Sequence, residues 1–455
     1  MKKSFIFLVI ITVSSCVFGQ NVLIKNGTVL TVTKGTLSET DVLIQNGKIA
    51  SIGKGINAPK GIKIIDAKGM FVMPGIIDAH SHIALDVVNE ASKPVTAEVS
   101  VRDGLNPLDI AIYRALAGGV SISHAMHGSA NAIGGQCQTI KHRYGTTDPD
   151  SLVMAGAPRT IKFALGENPI RVHGEGKKIM PATRMGVEQV FRDAFAKATL
   201  YTKNWDDYKS GKTNVMPEYS LEDEVIADII KGNILIHCHS YRADEIIMLM
   251  NVLKDYGVHK ICFQHVNEGF KIAPELAAFG ASASVFSDWW AYKFEVYDAI
   301  PHAGAMMHNA GVVVSFNSDD PELATHMNQE AAKAMKYGGV SAEDALKFIT
   351  LNPAKQLRIL QYTGSLQPGL HADFVVWNGP PLSNFSRCEQ TWIDGARYFD
   401  RDEDLKTREK VAEMRNTLVQ KILRSREKMR SENDRDTDPA EQWLRHDEYC
   451  RIQHD

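Results

Sequence analysis

Cysteine is scarce in this chain, with only six residues among 455. Cys16 lies in the apolar N-terminal stretch, and the others are Cys137, Cys238, Cys262, Cys388 and Cys450. These five are scattered and odd in number, which excludes a disulfide framework and leaves at least one thiol unpaired within the chain. Cys238 and Cys262 fall in apolar, strand-like runs, so we expect both to be small buried hydrophobic side chains.

An excess of charge of one sign is also absent. The formal net charge is -3 at pH 7, which gives no basis for a nucleic-acid partner. After the N-terminal stretch, no apolar run is long enough to cross a bilayer. With 44% hydrophobic and 23% charged residues, the chain has a globular composition and the length for one large domain with an accessory one.

The N-terminal stretch, MKKSFIFLVIITVSSCVFGQ, combines two lysines with a short apolar core and small residues before Gln20. This order is typical of a secretory signal peptide over residues 1–20, so we expect an exported protein, either periplasmic or secreted. Two forms of processing remain open, namely cleavage after Gly19 and lipid attachment at Cys16.

Two motifs that would indicate other enzyme classes are missing. There is no Gly-x-Gly-x-x-Gly turn, which weakens the doubly wound open sheet as the runner-up fold. There is also no Gly-x-Ser-x-Gly on a strand-to-helix turn, so serine catalysis has no support.

The pattern of residue types changes along the chain. Residues 21–75 and 360–400 contain short β-branched runs broken by Gly, Pro and Asn-Gly turns, and we expect them to form one composite β-sandwich. Residues 76–359 alternate eight strand-like runs with helical segments, which predicts a parallel barrel with an outer ring of helices. The predicted fold class is α/β, a TIM barrel with a composite β-sandwich domain.

Two further segments have helical patterns. Residues 186–225 indicate a helical excursion with a loop, which is either a lid or a surface insertion. Residues 401–455 predict an amphipathic helical tail that packs on the barrel or on a partner subunit, so a homo-oligomer is compatible with the sequence.

A His-x-His pair follows the first predicted barrel strand, in FVMPGIIDAHSHIALD at residues 71–86. His80 and His82 point to the same side because side chains alternate along a strand. Their convergence suits a metal ion, and a pair of hydrogen-bonded core histidines is the alternative. Asp78, two residues before His80, is placed to support it as a neighbour of the site.

Similar groups lie at other predicted strand ends. They are Lys162, His237, His239, His265 and Asp319, with Asp320 beside the last of them. In a parallel barrel the carboxyl ends of all strands meet at one rim, so we expect these groups to gather there.

With these motifs the chain resembles the amidohydrolase superfamily, in particular its imidazolonepropionase-like and prolidase-like members. The matching text is VMPGIIDAHSH, GSANAIGGQ, IKFALGENP, IHCHSYRADEI, FQHVNEG, SFNSDDPEL, ITLNPAKQLRI and GSLQPGLHADFVVW, over nearly all of residues 21–400. The resemblance implies a metal-dependent hydrolase on a distorted (β/α)8 barrel with a composite β-sandwich.

The resemblance also implies a ligand set. His80 and His82 would hold the more buried ion together with Asp319, and His237 and His265 would hold a second one. Imidazole and carboxylate ligands favour zinc, with manganese, iron or cobalt as alternatives, and one or two ions per chain.

Lys162 matches the lysine that is carboxylated in binuclear members, where the new carboxylate bridges both ions. Glu167 in GENP is a rival bridge, and pairing with a buried acid is the alternative role for Lys162.

Residues near the rim are candidates for substrate binding. His237 and His239 share one face of their strand, and relatives ligate through the first position, so the resemblance favours His237 as ligand and leaves His239 to the substrate. Tyr241 and Arg242 follow, and the arginine is suited to clamp a carboxylate or is simply solvated at a helix start. His127 precedes GSANAIGGQ, a loop that we assign to substrate shaping.

The expected reaction is hydrolysis of a carbon–nitrogen bond in a dipeptide, an N-acyl amino acid or a cyclic amide by metal-activated water. Asp319 is the expected proton shuttle between water and the leaving nitrogen. One alternative is a mononuclear deaminase or ring-opening hydrolase. Another, of a different class, is a surface binding protein on a catalytically retired scaffold.

Overall fold

The computed structural model describes residues 20–287 and 293–425. The predicted signal peptide with Cys16 and the end of the tail with Cys450 lie outside the described residues. Cys137, Cys238, Cys262 and Cys388 are buried and free, as predicted for the two strand cysteines. Among the described helices, none combines the length and the apolar character needed to cross a membrane.

The described residues form two sheets and a set of helices. The strands are β1 (Val22–Leu30), β2 (Thr36–Gln45), β3 (Lys48–Gly53), β4 (Lys63–Asp66), β5 (Phe71–Pro74), β6 (Ile76–Ser81), β7 (Val120–Ala125), β8 (Ile133–Lys141), β9 (Thr160–Ala164), β10 (Leu235–Ser240), β11 (Ile261–His265), β12 (Ser282–Val285), β13 (Val313–Phe316), β14 (Phe374–Trp377), β15 (Cys388–Ile393) and β16 (Ala396–Asp400). The α-helices are α1 (Ile110–Ala117), α2 (Glu167–Ile170), α3 (Arg184–Lys209), α4 (Leu221–Ile230), α5 (Ala243–Asp255), α6 (Ala273–Phe279), α7 (Ala303–Asn309), α8 (Met327–Gly338), α9 (Ala342–Lys347), α10 (Leu351–Gln356) and α11 (Arg401–Ser425). Short 3-10 turns span Val101–Gly104, Pro149–Ser151, Gly269–Ile272, Phe294–Val296 and Leu323–His326, and a π turn spans Arg171–Gly176.

The barrel sheet contains eight strands in the order β6 to β13. All neighbouring pairs are parallel except those of β8, which runs antiparallel to both β7 and β9. The sequence pattern predicts eight parallel strands. This prediction is wrong for β8, which is antiparallel to its neighbours. Only residues 126–132 join β7 to β8, whereas a parallel crossover needs roughly a dozen residues or more.

The gap between β13 and β6 is closed by other backbone contacts. Phe316 N donates to Phe348 O and Ile77 N donates to Ile349 O, each at 2.9 Å, so residues 348 and 349 lie between the two strands. Beyond the strand ends, Asp319 N donates to His80 O at 3.0 Å. The barrel is therefore closed by backbone on all sides of its interior.

The second sheet joins both ends of the chain, as the sequence pattern predicts. Its path is β16-β15-β14-β5-β1-β2-β3, and β4 pairs with β1. The β2–β3 turn is Asn46-Gly47, with positive φ angles of 52° and 74°, the geometry that makes Asn-Gly favourable in a tight hairpin. Trp392 and Phe374 stack with ring centroids 5.4 Å apart within its core.

The segment predicted to be a lid or a surface insertion contains a barrel helix instead. In α3, Phe191 stacks on Phe163 of β9 with ring centroids 5.4 Å apart, and Phe195 packs beside it. The apolar face of the first part of α3 therefore covers the outside of the barrel, whereas residues 199–209 contain no buried side chain.

The described part of the tail forms α11, which contacts the barrel through its first turn. Asp404 accepts a hydrogen bond from Tyr113 Oη at 3.0 Å, and Arg401 Nε donates to Cys388 O at 2.7 Å. From Leu405 onward the side chains of α11 are exposed.

Candidate functional site

His80 and His82 enter the barrel at the carboxyl end of β6. His80 is fully buried, and the His82 ring packs edge-on against it with centroids 5.3 Å apart. His82 Nδ1 donates to the Met126 carbonyl at 2.9 Å, which leaves the lone pair of the ring on Nε2. The two imidazoles therefore converge, as expected from their alternation along the strand.

Asp319 follows β13 and faces this pair. Its Oδ1 lies 3.2 Å from His80 Nε2 and 3.3 Å from His82 Nε2. Because Nδ1 of His82 carries the ring proton, its Nε2 lone pair faces a carboxylate oxygen. Two electron-pair donors at this separation repel each other unless a cation or a proton lies between them.

Asp78 connects the two strands that carry these residues. Its carboxylate accepts hydrogen bonds from Ser318 N at 3.0 Å and from Ser318 Oγ at 2.6 Å. Burial raises the pKa of Asp78 to about 6, although the hydrogen bonds from Ser318 oppose this. Asp78 thus positions Asp319 through its neighbour, and it also accepts from His80 N at 3.3 Å.

A second group of imidazoles lies beside the first. His239 of β10 and His265 of β11 have ring centroids 4.6 Å apart, and His265 is 4.8 Å from the His80 ring. His265 Nε2 lies 3.9 Å from Asp319 Oδ2. His265 and Asp319 have positive φ angles of 68° and 50°, a strained backbone conformation that is common where function fixes a side chain.

His237, which the resemblance favours as a metal ligand, lies beside another histidine of the barrel interior. Its ring packs against His124, with centroids 4.3 Å apart, and its Nδ1 accepts from Gln264 Nε2 at 3.0 Å. On β10, His237 is in register with Lys162 of β9, and His239 lies one inward-facing position further along, beside His265.

Lys162 lies at the centre of the cluster and is fully buried. Its Nζ is 3.1 Å from His80 Nε2. Within residues 20–287 and 293–425, no carboxylate forms an ion pair with this amine, so the alternative role of Lys162 as the partner of a buried acid has no counterpart there.

Glu167 has two basic partners. Its carboxylate pairs with Lys293 at 3.2 Å and with Arg171 at 3.4 Å. Through Lys293, Glu167 is linked to Tyr241 at the rim.

His80, His239 and His265 are neutral around pH 7. Burial lowers the pKa of His265 to about 3 and holds the pKa values of His80 and His239 well below the usual range. Burial would raise the pKa of Asp319, but His265 and His82 outweigh it and lower that pKa. Neutral imidazoles and an ionised carboxylate are the protonation states that metal ligation requires.

The residues predicted to bind substrate have different surroundings. Tyr241 stacks on His265 with centroids 5.3 Å apart, so it lies at the cluster. Arg242 donates from Nε and Nη2 to the two oxygens of Asp244, each at 3.0 Å, so this acid already occupies one edge of its guanidinium.

His127 has a structural role that its sequence position did not indicate. Its Nδ1 donates to Gly128 O at 3.0 Å, and its Nε2 accepts from Glu90 N at 2.8 Å. Both ring nitrogens are engaged by backbone, so His127 fixes the loop around Glu90 rather than presenting a polar atom to substrate.

Lys293 is a rim residue that sequence reasoning did not single out. Its Nζ lies 4.2 Å from the centre of the Tyr241 ring, and it pairs with Glu167 and Glu295. Its place in the connection after β12, at the rim where the other candidates end, is the signal that could have found it.

The donor set fits a divalent metal. The facing atoms of His80, His82 and Asp319 lie within 4.8 Å of one another. Around them, His239 Nε2 and both ring nitrogens of His265 are buried without a hydrogen-bond partner in the described part of the chain. Buried imidazole nitrogens and carboxylate oxygens of this kind are typical ligands of zinc and related ions.

A second cluster of acids and a histidine is not suited to a metal ion in the same way. His371, Asp373 and Asp394 also lie close together, but Lys141 Nζ donates to Asp373 at 2.8 Å and to Asp394 at 2.6 Å. The ammonium of Lys141 occupies the position between the carboxylates, so this cluster joins the barrel to the second sheet.

Comparison with known proteins gives consistent matches. The amidohydrolase family model matches residues 71–396. A solved amidohydrolase from Thermotoga maritima MSB8 is 36% identical, with a TM-score of 0.78 over 83% of this chain and 100% of that chain.

Two curated relatives match over most of this chain. Amidohydrolase tasK of Hapsidospora irregularis is 34% identical over 372 residues, which is 75% of this chain and 38% of that protein. Imidazolonepropionase of Picrophilus torridus is 24% identical over 369 residues, 74% of this chain and 87% of that protein. This chain therefore spans well under half of the length of the first of these relatives.

Proposed function

Because the chain belongs to the amidohydrolase family, a family of metal-dependent hydrolases, we propose that it cleaves a carbon–nitrogen bond of a small amide substrate. The observation that carries this proposal is the convergence of neutral imidazoles on one ionised carboxylate, Asp319, inside the carboxyl end of the barrel.

We assign the ligands from the distances in the cluster. His80, His82 and Asp319 would hold one ion, and His239 and His265 would hold a second. Lys162 would bridge the two after carboxylation, when its neutral amine forms a bond to carbon dioxide and releases one proton. Zinc is the proposed metal, and in such a site it lowers the pKa of a bound water and polarises the substrate carbonyl.

Asp319 is the proposed proton shuttle. Its lowered pKa keeps it ionised near neutral pH, so it can take a proton from the attacking water. Its Oδ1 faces His80 and His82 while its Oδ2 is directed toward His265, so one carboxylate spans both groups of ligands. It would then deliver the proton to the leaving nitrogen.

The substrate class that we propose is an amide with a free carboxylate, such as a dipeptide, an N-acyl amino acid or a cyclic amide that carries a carboxylate substituent. Lys293 and Arg242 support it, because both cations lie at the rim near Tyr241. A carboxylate of the substrate would compete with Asp244 for Arg242 and with Glu167 for Lys293.

Metal analysis combined with a substrate screen tests the proposal. Purified protein would be assayed with dipeptides, N-acyl amino acids and lactams, with bound metal counted per chain. Asp319→Asn keeps the size of the side chain and removes the base, so we expect turnover to fall by roughly 10²- to 10⁴-fold with the fold intact. Full activity in that variant would remove Asp319 as the shuttle.

The same measurements distinguish the proposed function from the two alternative functions. One ion per chain with a free Lys162 amine and release of ammonia would favour a mononuclear deaminase. Protein that binds metal but turns over none of these substrates would favour a retired binding protein.

We propose in addition that the chain is exported, on the basis of its first twenty residues. N-terminal sequencing of the mature protein tests this proposal. A start after Gly19 or a lipidated Cys16 would support export, and an intact Met1 would contradict it.

A further inference from the structure

The N-terminal end of the barrel, opposite the imidazole cluster, contains a cavity of about 180 Å³. The first residues of β10 to β13 line it together with α10, which lies across the barrel end. Gln356 fixes α10 in this position, because its Nε2 donates to Ala283 O and to Val313 O, each at 3.0 Å.

The rim of this cavity is cationic. Lys260, Lys355 and Arg358 contribute to the lining, and the described residues place no carboxylate in it. Within the same residues none of these three side chains forms an ion pair with an acid. Like charges that share a rim repel one another, so an anion between them would be stabilised.

The inner end of the cavity offers polar groups. His237 is the lining residue furthest along β10, and Cys262 and Ser282 lie beside it on the next strands. With Gln264 Nε2 donating to His237 Nδ1, the ring proton is on Nε2. That buried Nε2 has no hydrogen-bond partner in the part of the chain that the structure describes, and an unsatisfied donor of this kind is costly.

The positions of the three rim cations relative to helix ends explain only part of the positive charge at the rim. Lys260 Nζ donates to Gly232 O at 2.9 Å, just beyond α4, and Lys355 lies in the last turn of α10. Cations at these positions favour the negative end of a helix dipole. Arg358 lies just after α10 with a φ of 54°, where glycine is usual, so backbone preference does not explain an arginine there.

We propose that this cavity is a second binding site that takes a small tetrahedral oxyanion, held at the rim by Lys260, Lys355 and Arg358. A phosphate dianion matches three cations better than a neutral or cationic molecule does. The shared chemistry is the phosphate group, whether it comes as inorganic phosphate or as a small phosphate monoester.

Calorimetric titration of the metal-loaded full-length protein tests this site. Inorganic phosphate and glycerol phosphate would be titrated in separate arms at constant ionic strength. The double variant Lys355→Gln with Arg358→Gln removes two rim charges from exposed side chains. The matched control, Lys410→Gln with Lys421→Gln, removes the same charge from the exposed part of α11.

We expect phosphate to bind the wild type and the control equally, and its affinity for the rim variant to be roughly tenfold weaker or more. Comparison of the two arms then identifies the free ion or the monoester as the tighter ligand. Equal isotherms for the rim variant and the wild type would assign the phosphate to the metal cluster and overturn the proposal. Absence of binding at millimolar phosphate would overturn it as well.

Discussion

The position of a histidine along its strand determines its surroundings in this barrel. His237 and His239 point to the same interior, yet two residues of a strand rise by about 6.6 Å. His239 consequently reaches His265 at the rim, while His237 packs against His124 below it. The sequence shows that both face inward, but it does not show at which residue the strand reaches the rim, so it leaves the choice between them open.

A prediction at the scale of single residues concerns Lys162. Lys162→Ala removes the proposed bridge, so we expect metal content to fall and turnover to drop by about 100-fold or more. Acetate or formate added to this variant would supply a carboxylate in the vacated space and restore part of both. Metal analysis and activity, measured with and without the acid, check this. Unchanged metal stoichiometry in the variant would exclude bridging.

The reversed strand β8 is the main difference at the scale of elements. β8 contains two glycines and two glutamines among its nine residues, but residue types do not reveal the direction of a strand. The short connection between β7 and β8 does reveal the direction, because it cannot return the chain to the other end of the sheet. Strand existence, the barrel and the two-ended second sheet were predictable, since they depend on hydrophobic periodicity and turn residues.

His127, in the connection between β7 and β8, makes the free energy of unfolding depend on pH. Burial lowers the pKa of His127 from 6.5 to about 4 in the folded protein. Below pH 6.5 the unfolded chain binds this proton first, so the free energy of unfolding falls as pH decreases toward 4. The full difference corresponds to roughly 3 kcal/mol, of which about 2 kcal/mol is lost by pH 5.

His127→Gln removes this titration and keeps a side chain that can accept from Glu90 N. We expect urea unfolding of the variant to lose about 2 kcal/mol less than the wild type between pH 7 and pH 5. His259→Gln, at an exposed histidine, serves as the control and should follow the wild type. A variant with the same pH dependence as the wild type would contradict this role for His127.

At the scale of the whole molecule, the tail is separable from the chemistry. The first turn of α11 is anchored by the Tyr113–Asp404 hydrogen bond, and its later residues are exposed. Its amphipathic pattern was predictable, but a pattern alone does not tell which surface covers the apolar side chains.

Two truncations distinguish the anchored turn from the exposed helix. Deletion from residue 401 should lower the free energy of unfolding by about 1 to 3 kcal/mol, because Tyr113 loses a charged partner. Deletion from residue 409 should leave it unchanged, and both forms should keep kcat. Thermal unfolding, size-exclusion chromatography and kinetics check this. An intact fold with lost turnover would contradict the assignment of the tail.

We propose that His239 holds metal together with the other rim ligands, whereas His237 does not. The most direct test is metal content per chain, measured by mass spectrometry, for the wild type and for the matched variants His239→Asn and His237→Asn. We predict that His239→Asn loses bound metal and that His237→Asn, if folded, retains the wild-type amount. Full metal content in His239→Asn together with its loss in a folded His237→Asn would contradict the proposed site.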